Sequence, residues 1–215
     1  MTTIIFDIET GPLSTEQVES VMPAFDPAEI KTGNLKDPAK VAEKIEQVRA
    51  SHRQSVIDRA ALDPMTGQVL AIGVMTTEDD MATISGAEAD VLNAFWDMIR
   101  TNSGIHRLFG YNCRDFDVPF ICRRSFVHGI PVPPNVWDGR WTDKNIIDLS
   151  DWWRKPRGQG IYSLAQVCRM LGLGEKAGDG KDFANLWATD REQAVAYLKQ
   201  DLELTRKLAQ RMGQI

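Results

Sequence analysis

Two carboxylates, Asp7 and Glu9, lie two residues apart in the run Thr3-Ile4-Ile5-Phe6-Asp7-Ile8-Glu9-Thr10-Gly11. The β-branched and aromatic stretch over residues 3–8 predicts a strand entering a buried sheet. Side chains alternate faces along a strand, so Asp7 and Glu9 project together from its carboxyl end. Open α/β sheets place their ligands there. Adjacent ionised carboxylates repel and resist burial, and a hard divalent cation such as Mg²⁺ or Mn²⁺ relieves both costs through oxygen ligation. A strand that simply ends in two solvated acids has the same short pattern, so the pair gains meaning only in company.

Two downstream segments supply that company. In Asn112-Cys113-Arg114-Asp115-Phe116-Asp117 a strand hands over to a helix, and Asp117 either caps or enters that helix. Asp115 would serve as a cap equally well. Tyr197 and Asp201 are one helical turn apart and share a face, so they can act on one ligand. An amphipathic helix with a surface acid beside a half-buried tyrosine looks the same.

The elements that must position these groups follow from periodicity and punctuation. After the first strand comes an irregular, proline-rich stretch, then Asp37-Pro38 as a helix start. Val41, Ile45 and Val48 recur at helical spacing among many charges, predicting an exposed amphipathic helix to about residue 62. Residues 68–75 read as a buried strand and 81–85 as another, followed by a helix with Leu92, Phe95, Trp96 and Ile99 on one face. Residues 107–111 read as a strand and 118–127 as a helix. Residues 128–160 look irregular around a short apolar run at Ile146-Ile147. A helix over 164–171, a turn at Gly178-Asp179-Gly180 and a capping box at Thr189-x-x-Glu192 opening a last helix to about residue 212 complete the chain. One α/β domain of residues 1–215 is expected, with a loop and helix inserted at about 12–66.

Composition narrows the function. The 215 residues are 43% hydrophobic and 26% charged, ordinary for a soluble globular protein. No apolar run is long enough for a membrane helix, and the first residues lack a leader pattern. Cys113, Cys122 and Cys168 suggest neither disulfides nor a zinc site, so a reducing, cytoplasmic setting is expected. A net charge of −5 disfavours a protein that coats nucleic acid by bulk positive charge, and is neutral towards a metal-dependent nuclease.

Taken in order, the acidic segments resemble the three motifs of the DEDD superfamily of 3′–5′ exonucleases. Phe6-Asp7-Ile8-Glu9-Thr10 is similar to the first and Asn112-x-x-x-Phe116-Asp117 to the second. Tyr197-x-x-x-Asp201 is similar to the third in its tyrosine-bearing form. The likeness is to proofreading domains of family-B DNA polymerases and their stand-alone relatives. It implies a ribonuclease H-like α/β fold, a mixed central sheet flanked by helices. It also implies two divalent ions, Mg²⁺ or Mn²⁺, acting in phosphodiester hydrolysis with release of nucleoside 5′-monophosphates. By the same resemblance Asp7 bridges both ions, Glu9 and Asp201 complete the first ion's shell, and Asp117 holds the second. Tyr197 would orient the attacking water, since a phenol with a pKa near ~10 is a poor base at neutral pH. The sister branch carries histidine five residues before the last aspartate, and that position here is Ala196. His52, His106 and His128 share no spacing with the acids.

Around these motifs, Asn112 either contacts the substrate strand or forms a turn, and Phe116 either stacks on a base or packs. Thr10, Gly11 and Leu13 are placed to touch the terminal nucleotide, although Gly11-Pro12 also suits a plain turn. Arg154-Lys155-Pro156-Arg157 beside Trp152-Trp153 either tracks a single strand or covers a buried tryptophan pair. Asp148 reads as structural. The expected activity is 3′–5′ removal of nucleotides from single-stranded DNA, without a membrane partner, and with a replication or repair protein as a candidate partner. RNA as substrate, and a non-catalytic adaptor on the same fold, are the alternatives.

Overall fold

Ile4, Phe6 and Ile8 alternate with Ile5 along the first strand, and the two sets enter different hydrophobic clusters. The strand is therefore covered by side chains on both faces, which makes it the centre of the molecule. In the computed structural model, which describes residues 3–31, 33, 35, 37–78, 80–101, 107–134, 136–137, 143–176 and 180–215, it runs as β1 over Thr3–Pro12. The other strands are β2 (Gly67–Thr76), β3 (Met81–Ser85), β4 (Arg107–Gly110) and β5 (Ile146–Asp148). They form one sheet in the order β3-β2-β1-β4-β5. β1 and β4 are parallel, with Ile5 opposite Phe109, and β4 and β5 are parallel, with Gly110 opposite Asp148. β3 runs antiparallel to β2. The sheet is mixed, as expected.

Helices cover both faces. Leu92, Phe95 and Trp96 of α3 (Glu88–Thr101) and Val118, Ile121 and Cys122 of α4 (Asp117–Val127) share a cluster with Ile4, Phe6 and Ile8. The Trp96 indole donates to Ser125 Oγ at 2.8 Å, joining α3 to α4. On the other face, Ile5, Met75 and Phe109 pack with Val167 of α5 (Leu164–Met170) and Leu202 and Leu208 of α7 (Arg191–Arg211). Gly73 is the contact that lets α7 approach β2. A Cβ there would lie 2.8 Å from Leu198 Cγ and from Leu202 Cδ1, closer than atoms tolerate.

Contacts divide the chain into two compact units, Met1–Thr10 with Val69–Ile215, and Gly11–Gln68. The second unit contains α1 (Thr15–Val21), opened by a Ser14–Gln17 capping box, and α2 (Pro38–Arg59), capped by Asp37 with proline at its start. Within this unit Arg53 pairs with Glu19, and the Phe25 ring lies against both Arg49 and His52. No residue of α2 is buried, and Val41, Ile45 and Val48 are only half-covered. Its apolar spacing is too diluted by charge to form a core-facing stripe.

The structure differs from the sequence reading in one strand, two helices and one helix cap. Ile146-Ile147 is a true strand, short because it needs only the three pairs it makes with β4. α1 and α6 (Phe183–Thr189) are additional helices. The last helix is capped by Asp190, whose side chain accepts from Gln193 N–H at 3.0 Å, while Thr189 closes α6 by bonding back to Asn185. Of the turn placed at 178–180, only Gly180 lies within the described residues, where it begins a 3₁₀ turn. Among the described residues no helix is long and apolar enough to cross a membrane.

Candidate active site

The carboxyl ends of parallel strands β1, β4 and β5 point the same way, so whatever follows them gathers at one edge of the sheet. Asp7 and Glu9 project there from β1, Asp7 half-buried and Glu9 buried. α7, held close over β2 by Leu198 and Leu202 at Gly73, brings Asp201 to the same place. One carboxylate oxygen from each of Asp7, Glu9 and Asp201 lies within 4.8 Å of the other two.

Asp117 stands beside this group in a different role. It is the first residue of α4, which has no side-chain cap, and its Oδ1 accepts the Ile8 N–H of β1 at 3.1 Å. The residue thus enters the helix and ties α4 to β1 between Asp7 and Glu9. Asp115, the competing acid, is exposed and faces Arg154.

Burial and crowding set the protonation of the cluster. Desolvation, then the charges of Asp117, Glu9 and Asp201, push the Asp7 carboxyl far above the usual carboxylate range. Desolvation and Asp201 raise Glu9 to about 8, and desolvation raises Asp117 to about 7 against the Ile8 hydrogen bond. Asp201 is also raised by burial, though Lys176 opposes the shift. Lys176 Nζ is 2.5 Å from Asp201 Oδ2 and 4.7 Å from the centre of the Tyr197 ring. Burial disfavours its charge, yet the Asp201 carboxylate holds its pKa above that of an ordinary lysine. Asp201 Oδ1 is buried without a hydrogen-bond partner among the described residues, and the Tyr197 hydroxyl is buried beside Lys176 and Asp201, which both act on it.

These features meet the requirements of a divalent cation. The donors are all carboxylate oxygens, the hard ligands that Mg²⁺ and Mn²⁺ take. Burial first, and then their mutual charge, which Lys176 offsets only in part, favour the protonated acids. A buried carboxylate oxygen with no partner is costly unless something cationic meets it.

Asn112 occupies the left-handed region at φ 62°, which asparagine tolerates better than most residues. Its N–H donates to Asp148 Oδ1 at 2.8 Å, Arg114 N–H to Oδ2 at 2.9 Å and Ser150 N–H to Oδ1 at 2.9 Å. Asp148, almost fully buried, thereby fixes the bend between β4 and α4. Phe116 packs 5.5 Å from Phe120 against the core. Thr10 follows Glu9 on β1, half-buried, whereas Gly11 and Leu13 belong to the second unit, where Leu13 N–H bonds Thr66 O. His128 bonds Glu88, and His106 lies outside the described residues. The three cysteines are buried and free. Asp148, read from sequence as structural, holds the backbone of this bend. One contributor had escaped the motif reading. Lys176, far from every motif in sequence, carries no local signal.

A mixed five-stranded sheet flanked by helices, with a carboxylate cluster at the carboxyl ends of its parallel strands, defines a ribonuclease H-like α/β protein. Its backbone superposes on the family B DNA polymerase of Pyrobaculum calidifontis with a TM-score of 0.62 at 16% identity, covering 99% of this chain and 24% of that one. The chain belongs to the family described as "Predicted 3'-5' exonuclease related to the exonuclease domain of PolB", whose profile matches residues 50–205. It is 29% identical over 167 residues to an uncharacterised protein of Methanocaldococcus jannaschii, spanning 71% of this chain and 89% of that protein. It is 25% identical over 151 residues to a DNA polymerase of Archaeoglobus fulgidus, spanning 65% of this chain but only 19% of the polymerase.

Proposed function

We propose that this protein removes nucleotides one at a time from the 3′ end of single-stranded DNA, as a metal-dependent exonuclease of the tyrosine-bearing branch. The observation that carries this reading is the convergence of Asp7, Glu9 and Asp201 oxygens within 4.8 Å, from a strand and a helix at opposite ends of the chain. Membership of a family of predicted 3′–5′ exonucleases supports it independently.

Asp7, Glu9 and Asp201 would hold one ion, and Asp7 with Asp117 a second. Two bound divalent ions supply a nucleophile at neutral pH and neutralise charge on both the attacking and the leaving oxygen. The chain's own groups do the rest. Tyr197 is one turn from Asp201, its hydroxyl buried beside Asp201 and Lys176, and it orients the attacking water by hydrogen bonding. Burial and the Asp201 charge push its pKa up, so it does not act as a base. Lys176 compensates the cluster's charge and, lying beside Asp201, is positioned to meet a phosphate oxygen. Asp148 holds the Asn112 bend so that the Asn112 side chain can touch the strand. The free cysteines fit a cytoplasmic setting, and a replication or repair protein is the partner this activity suits.

The test is a time course on 5′-labelled single-stranded DNA with Mg²⁺ or Mn²⁺, beside Asp7→Ala and EDTA controls. The expected result is a ladder shortening from the 3′ end in the wild type alone. An intact DNA ladder with matched RNA degraded would transfer the activity to RNA. Both intact, with metal bound, would leave an adaptor.

A further inference from the structure

The segment after β5 forms an exposed hairpin that the hydrolytic chemistry does not use. Lys155 N–H bonds Gly160 O at 2.8 Å, Tyr162 N–H bonds Trp153 O at 3.0 Å, and Arg154 bridges Ile161 in antiparallel fashion. At the tip Arg157 and Gly158 hold φ 60° and 70°, the left-handed pair that a tight hairpin turn requires.

Two tryptophans end the 3₁₀ turn Leu149–Trp153 that leads into the hairpin. Trp153 packs on the core, whereas Trp152 is 57% exposed, and Tyr162 on the hairpin's far arm is 42% exposed with Lys155 Nζ 5.3 Å from its ring centre. Trp152 and Tyr162 thus present two aromatic faces to water on a basic segment. Residues 152–162 carry Arg154, Lys155 and Arg157 and no acid, in a chain of net charge −5. Arg154 is engaged by Asp151 at 2.9 Å and lies 3.5 Å from Asp115. Tyr111 donates to Tyr162 O, and Arg114 pairs with Asp151 at 2.7 Å. These contacts fasten the hairpin to the 111–117 bend at the carboxyl end of β4, the same sheet edge that carries the carboxylates.

We propose that this hairpin is a stacking and phosphate-binding platform for single-stranded DNA, holding the strand upstream of the terminal nucleotide. Trp152 supplies a face on which a base stacks, and Lys155 and Arg157 meet backbone phosphates. Every base has a π-face, so such a platform grips without reading sequence, which suits an enzyme that must accept any 3′ end. It also gives an acidic protein a local source of affinity for a polyanion. The inference rests on the single-strand reading of the site.

The test is fluorescence anisotropy of 5′-labelled dT12 with the full chain in EDTA, for wild type, Trp152→Ala and Lys155→Gln/Arg157→Gln. Trp152 and Arg157 are exposed and Lys155 is half-buried, and equal thermal melts verify folding. Loss of one stacked base should raise Kd about tenfold in Trp152→Ala. The double variant should flatten the dependence of log Kd on log salt by about 1.4, the single-strand slope for two phosphates. Hydrolysis of the same oligonucleotide with Mn²⁺ is measured in parallel. Wild-type Kd in Trp152→Ala with an unchanged salt slope in the double variant overturns the platform, even if hydrolysis is normal. Trp152-dependent binding without hydrolysis upholds the platform and removes the exonuclease reading. A wild type that neither binds nor cuts removes both.

Discussion

Lys176 Nζ meets Asp201 Oδ2 at 2.5 Å, while the other oxygen of that carboxylate, Oδ1, is buried with no partner among the described residues. One ammonium therefore compensates a cluster of four acids. Replacing Lys176 by Met should leave Asp201 buried beside Asp7 and Glu9 without compensation. Removing one member of a buried pair costs several kcal/mol. Because Lys176 is 22% exposed at its side chain, a loss of about 2 kcal/mol, or roughly 4–8 °C in Tm, is expected in EDTA. Saturating Mn²⁺ should recover most of that loss. Melts of both proteins with and without Mn²⁺ decide it, and a deficit unaltered by the ion would separate Lys176 from the metal site.

The pH dependence of metal-free stability follows from the same crowding. Glu9 is raised to about 8 and Asp117 to about 7, from ordinary values of 4.5 and 3.8. A carboxyl whose folded pKa exceeds its unfolded one binds more protons when folded, so stability falls as pH rises between the two values. The metal-free protein should therefore lose stability steadily from about pH 4 to about pH 8. Bound ions displace those protons, so Mn²⁺ binding at pH 7 should release protons and flatten the trend. Calorimetry in buffers of different ionisation enthalpy measures the release. A binding enthalpy independent of buffer would show that the acids are already ionised.

How much of this was legible follows from the kind of signal each residue carries. Asp7 and Glu9 stand out because the period of a strand is two, and local sequence fixes their common direction. The sheet's mixed character came from the family resemblance, since local patterning places strands without giving their directions. Asp201's arrival beside them depends on Gly73 admitting α7, a contact between segments more than a hundred residues apart in which the glycine's only signal is an absent side chain. β5 was too short to show a period, although the acid that ends it, Asp148, was read as structural. Thr189-x-x-Glu192 matches a capping box in sequence, but α6 extends through Thr189 and the cap passes to Asp190. Lys176 carries no pattern, because its partner is chosen by the tertiary fold.

Asn112 separates backbone from side-chain effects. At φ 62° glycine is free of strain, so Asn112→Gly should keep the wild-type Tm to within a degree or two, whereas Asn112→Ala should lose about 1 kcal/mol. If the amide also touches the strand, both variants raise KM for DNA by a similar factor despite their different stabilities. Asp148→Ala leaves three backbone N–H groups without their carboxylate and should destabilise by about 3 kcal/mol or more. KM values that track Tm across these variants would reduce Asn112 to a turn residue.

Tyr197→Phe isolates the hydroxyl. That oxygen is buried beside Lys176 and Asp201, so its removal should cost about 1 kcal/mol, or roughly 2–4 °C in Tm. Metal affinity should be unchanged, since the carboxylates stay in place. If the hydroxyl orients the attacking water, kcat should fall by about tenfold to a hundredfold, less than the loss in Asp7→Ala, with KM for DNA unaltered. The pH profile adds a second readout. Burial and the Asp201 charge keep the phenol protonated across the working range, so wild type and Tyr197→Phe should share the same profile shape up to pH 9. An alkaline limb present in the wild type and missing in the variant would mean that Tyr197 titrates during turnover and acts as a base. A wild-type kcat in Tyr197→Phe would remove the residue from the reaction and leave it as the wall between α6 and α7, where its ring lies 5.9 Å from Phe183.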